Sequence, residues 1–76
     1  MPDLPKVTGQ EAIRAFQLAG FVLDRITGSH HVLKRAGRPF VLSVPVHGKK
    51  ILKTGTLRTL IRTAGLTVDE FCNLLD

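Results

Sequence analysis

The chain has no tryptophan and no tyrosine, and phenylalanine fills only four positions. Proteins that hold single strands by stacking bases on aromatic platforms usually carry more rings than this. One cysteine, Cys72, excludes an internal disulfide framework and a cysteine-only metal site, which fits a reducing cytosol. No apolar run approaches the ~18 residues that cross a bilayer. The opening MPDLPKVTGQ lacks the basic region and apolar stretch of a signal peptide. A soluble cytoplasmic protein with no membrane contact is expected. Negative charge is also sparse: six Asp and Glu face eleven Lys and Arg, a net charge of +5. Asp24, Asp69, Glu70 and Asp76 are scattered, so no carboxylate pair suggests acid–base catalysis. No glycine-rich run precedes a Gly-Lys-Ser/Thr, so ATP or GTP binding is not expected.

What is present is basic and short. Seventy-six residues make one domain, 1–76, with a simple core. Its charge suits a polyanion, held through Lys and Arg on the backbone rather than by base stacking.

The chain divides readily into elements. Residues 1–7 hold two prolines and read as an extended lead-in. Thr8 and Glu11 form a capping box, and Ala12, Ile13, Phe16 and Ala19 follow as one apolar stripe. A helix over about Gly9–Ala19, ended by Gly20, is expected. FVLDRIT, HHVLKR and FVLSVPV read as three strands, separated by TGS and AGRP turns. Phe40, Leu42 and Val44 alternate and should share the core face, while Pro45 belongs near a strand end or edge. Thr54 or Thr56 opens a second helix with Leu57, Leu60, Ile61 and Ala64 on its buried side. A second capping box, Thr67 and Glu70, opens a short last helix. The fold class is α+β: an α-β-β-β-α order with a three-stranded antiparallel sheet, helices on one face and a short C-terminal helix. That order is similar to the double-stranded-RNA-binding domain, although fold alone says little about function.

Three constellations carry chemistry. The first is Gly28-Ser29-His30-His31. An imidazole titrates near neutrality and can take or give a proton, and glycine permits close backbone approach. The plain alternative is polar residues at a strand mouth. Neighbours on a strand point to opposite faces, so at most one of the two histidines faces a given site. Adjacent histidines on a strand also converge poorly on one metal ion. No recognised spacing links them to His47 or Cys72, so no metal and no cofactor are expected. The second constellation is His47-Gly48-Lys49-Lys50, which either presents donors to phosphate or is an ordinary basic turn. The third is Lys53-Thr54-Gly55-Thr56. Here free amides at Thr56 and Leu57, the Thr hydroxyls and Lys53 could meet one anion, or the threonines could simply cap their own helix. Arg58 and Arg62, four apart, lie on the outer side of that helix.

Taken together, LAGF, GSHHVL, VPVHGKKILKTGTLRTLIRTAGLT and DEF resemble the HicA family, also called YcfA-like, of toxin–antitoxin systems. The likeness runs from about Thr8 to Leu75, in order and spacing. It implies a double-stranded-RNA-binding-like fold and an mRNA interferase that cleaves RNA and arrests translation and growth. It also implies a HicB-like antitoxin that masks the active face, and oligomerisation through that partner. The family's histidine in the Gly-Ser-His turn maps onto His30, with His31 as second choice. Gly28, Ser29, His47, Lys49, Lys50, Lys53, Thr54 and Thr56 would then hold RNA phosphate, and Arg58 and Arg62 would face the antitoxin. A non-catalytic RNA-binding module is the competing expectation.

Overall fold

The structure is a computed structural model, described here for residues 3–75. Met1, Pro2 and Asp76, the last of them one of the scattered carboxylates, lie outside the described residues. Six elements follow in order: α1 (Gly9–Leu18), β1 (Val22–Thr27), β2 (His30–Lys34), β3 (Leu42–Pro45), α2 (Thr54–Thr63) and α3 (Val68–Leu74). The sheet is antiparallel with strand order β1-β2-β3. No described helix is long and apolar enough to cross a membrane.

Both capping boxes form as expected. Thr8 N–H donates to Glu11 Oε1 at 2.8 Å, and Glu11 N–H donates to Thr8 Oγ1 at 3.2 Å. The Thr67–Glu70 pair repeats this at 2.8 and 3.0 Å. Each box satisfies two amides that a helix start leaves unpaired.

One face of the sheet is covered by α1 and α2. Leu33, Leu42 and Val44 are each 0% exposed and join Phe16, Leu57, Ile61 and Phe71 in one apolar cluster. Phe16 is its hub, with ring centroids 6.2 Å from Phe21 and 5.2 Å from Phe71. Burial of these large side chains is the main stabilising term, at about 1.5–3 kcal/mol each.

Two expectations need correction. Phe21 precedes β1 and is buried in the core rather than being a strand residue. Phe40 precedes β3 and is 39% exposed, so it does not share the core face with Leu42 and Val44. The ladder with β2 ends at the Leu33–Leu42 pair. Phe40 therefore lies in the turn segment, where the Arg38 guanidinium sits 5.9 Å from its ring centroid.

The elements meet tightly where the first strand turns into the second and the third leaves the sheet. Gly9, at the start of α1, lies so close to the Pro45 carbonyl that no Cβ fits between them. Val46 N–H donates to the Ser29 carbonyl at 2.7 Å, tying the β1–β2 turn to the exit of β3. Leu52 N–H donates to the Val7 carbonyl at 2.8 Å and closes the far side of the 46–53 loop. Both ends of the basic loop are thus anchored in backbone.

Candidate active site

The turn that begins the site is a two-residue hairpin, because Thr27 pairs directly with His30. Gly28 takes φ +59°, the positive value that primed hairpin turns demand of their first residue. Nothing lies within 4 Å of the position a Cβ would occupy there, so the glycine serves the turn's backbone rather than a packing contact.

Register separates the two histidines. His31 pairs with Val44 and lies on the helix-covered face with Leu33. It is half-buried, and its Nδ1 is buried without a hydrogen-bond partner. His30 pairs with Pro45 and lies on the opposite, open face, where it is exposed. The Ser43 hydroxyl stands 3.1 Å from His30 Nδ1. Ser43 pairs with Val32, so it is the diagonal neighbour of His30 on that face. With Nδ1 occupied, Nε2 is the ring atom left for chemistry.

Beside Pro45 opens a cleft of about 280 Å³ lined by Pro45, His47, Lys50, Ile51, Leu52, Lys53 and Thr56. It joins the end of β3, the basic loop and the start of α2, directly across the ladder from His30. Its polar side chains are His47, Lys50, Lys53 and Thr56, with no carboxylate. The cap of α2 is Lys53, and no side chain closes it. Thr54 opens the helix, as expected, and with both threonines inside it this cap sets aside the alternative in which they close it. It also moves the free amides. Leu57 N–H is already bonded to the Lys53 carbonyl at 3.0 Å, which leaves Thr54, Gly55 and Thr56 as the uncapped donors.

The sequence-derived residues therefore divide. His47, Lys50, Lys53 and Thr56 share the cleft, and Gly28, Ser29 and His30 lie just across the ladder. Lys49 is exposed in the loop but does not line the cleft. Thr54 turns instead toward a larger cleft, about 590 Å³, lined also by Asp3, Leu4, Arg58, Thr67, Val68 and Asp69. Its two carboxylates make it a poor seat for a polyanion, so size does not choose the site here. Arg58 borders that second cleft and Arg62 is exposed in the last turn of α2. Ser43 went unremarked in the sequence. Its place on the face of His30 follows from the β2–β3 register, which pairs it with Val32.

The remaining cations of the sheet are committed elsewhere. Asp24 bonds Arg25 at 2.6 Å and Lys34 at 3.0 Å on the open face. Those partners, Lys34 before Arg25, hold the Asp24 carboxyl below its ordinary value of 3.8. At the other end of the strands, Arg35 lies over Gly20 and Arg38 over Gly65. There the guanidinium groups meet the C-terminal, partially negative ends of α1 and α2. Lys50, Lys53, Arg58 and Arg62 make no ion pair among the described residues. No three His, Cys, Asp or Glu side chains cluster as metal ligands among them either.

Comparison with known proteins agrees with the motif likeness. A search of the curated proteins finds no match. The family model described as HicA toxin of bacterial toxin-antitoxin matches residues 9–66, which runs from the first residue of α1 to the segment just after α2 and takes in the histidine turn, the basic loop and the cleft. The chain belongs to the HicA family of toxins from bacterial toxin–antitoxin systems.

Proposed function

We propose that this toxin is an endoribonuclease that cleaves mRNA, with His30 as its proton-transfer group, and so halts translation and growth. The observation that carries this reading is the exposed His30 imidazole, held at Nδ1 and facing open solvent directly across the ladder from the cationic cleft. In the reaction, His30 Nε2 takes the proton of a ribose 2′-hydroxyl. The 2′-oxygen forms a bond to the adjacent phosphorus, and the bond from phosphorus to the 5′-oxygen breaks. His47, in the cleft, protonates the departing 5′-oxygen. Lys50, Lys53 and the uncapped amides of Thr54, Gly55 and Thr56 balance the charge that builds on the phosphoryl oxygens. Lys49 adds charge along the approach. The chemistry is metal-independent and the products carry a cyclic phosphate.

The partner of such a toxin is an antitoxin. We assign a HicB-like protein that covers the open face and the cleft, with Arg58 and Arg62 on the outer side of α2 as further contacts for its acidic groups. Expression of the toxin alone tests the reading. The wild type arrests growth and depletes mRNA, and His30→Ala does neither while His31→Ala does both. Growth arrest by His30→Ala would remove His30 from the mechanism. RNA binding without cleavage by the purified wild type would favour a non-catalytic module.

A further inference from the structure

We infer that Ser43 is a positioning residue that fixes the tautomer of His30; this rests on the reading of His30 as the base. The contact is the one described side chain–side chain hydrogen bond between β2 and β3. Arg25 and Lys34 both bond the Asp24 carboxylate, the first as a chain neighbour and the second between β1 and β2. Ser43 sits in β3 with Leu42 and Val44 on either side, both 0% exposed and locked in the core. The hydroxyl is therefore presented from a rigid strand rather than from a loop.

The direction of the bond follows from the chemistry. A base that uses Nε2 must carry its neutral proton on Nδ1. Ser43 Oγ then accepts from Nδ1–H. After Nε2 takes the 2′-hydroxyl proton, the imidazolium still donates from Nδ1 to the same oxygen. One geometry serves both protonation states, so nothing has to rotate during proton transfer. With the opposite tautomer the hydroxyl would donate to Nδ1 and Nε2 would have no free lone pair. Ser43 thus holds the His30 ring with Nε2 outward; a hydroxyl can donate as well as accept, unlike the carboxylate of a catalytic triad, so the tautomer itself is what the experiment reads.

The test combines spectroscopy with kinetics. Nitrogen-resolved NMR of the imidazoles, assigned with a His30→Ala sample, reads the tautomer directly and does not depend on activity. The wild type should show neutral His30 protonated on Nδ1. Ser43→Ala should move that proton toward Nε2, and Ser43→Thr, which keeps a hydroxyl, should restore it. Cleavage of a defined RNA should fall about tenfold in kcat for Ser43→Ala with KM unchanged, and recover in Ser43→Thr. A wild-type ring protonated on Nε2, or full kcat in Ser43→Ala, overturns the assignment. If His30→Ala remains active, the reading of His30 as base fails, and the NMR result still decides whether Ser43 sets its tautomer.

Discussion

His30 and His31 are chain neighbours on β2, yet one lies opposite Pro45 on the open face and the other opposite the buried Val44. A one-residue step thus divides an exposed imidazole from a half-buried one. His31 brings a buried, unpartnered nitrogen to its site. Removing an unsatisfied polar atom in favour of an apolar group of similar size is near neutral or stabilising. His31→Leu is therefore expected to keep or raise the denaturant midpoint and to leave RNA cleavage at the wild-type level. A folded His31→Leu protein that no longer cleaves would transfer the chemistry to His31.

Gly9 carries an unusual burden for a helix N-terminus. A Cβ there would meet the Pro45 carbonyl and stand 3.0 Å from the Val46 side chain. Gly9→Ala should cost about 1–3 kcal/mol in urea unfolding, as overpacking does. It should also slow cleavage, because the residues displaced lead directly into the cleft. Unchanged stability would show that α1 and the end of β3 can separate freely.

The cleft cations are expected to meet phosphate and not bases. Lys50→Ala with Lys53→Ala should weaken binding of different RNA sequences alike. On a single strand, the slope of log affinity against log salt should fall by about 0.7 for each phosphate that the variant no longer neutralises. An unchanged slope would place the RNA backbone elsewhere.

Asp24 neutralises Arg25 and Lys34 on the face that His30 occupies. Asp24→Asn should release both, tighten RNA binding and steepen its salt dependence. The same carboxyl gives a pH dependence of known sign. Its folded value is lowered, so its contribution is complete above the unfolded carboxylate range and is lost as pH falls through the lowered value. The group is exposed, so the effect on stability is small. Titration of Asp24 by NMR should give a midpoint below 3.8, returning upward in Lys34→Ala.

Local chemistry was legible in the sequence and long-range pairing was not. Thr8–Glu11 and Thr67–Glu70 are i,i+3 devices that announce their helices by spacing alone. The Gly28-Ser29 turn and the buried stripe of α2 were equally plain, and so was the ordering of strands. Phe40 misled because alternation with Leu42 and Val44 does not reveal where a ladder stops. Thr54 opens α2 as read, but the cap falls one residue earlier on Lys53, whose side chain caps nothing, because backbone geometry and not residue preference sets that position. Ser43 stayed hidden because its hydrogen bond depends on the register between β2 and β3. The motif located the histidine turn, and the ladder then supplied the face on which each histidine lies.

The most direct test of His30 as the proton-transfer group is the chemistry of the RNA ends. Purified wild-type toxin is incubated with a defined RNA in the presence of a metal chelator, beside His30→Ala, and the termini are identified by mass spectrometry. Wild-type products should carry a cyclic phosphate or 3′-phosphate on one fragment and a 5′-hydroxyl on the other, and His30→Ala should leave the RNA intact. Fragments ending in a 3′-hydroxyl, or undiminished cleavage by His30→Ala, would contradict it.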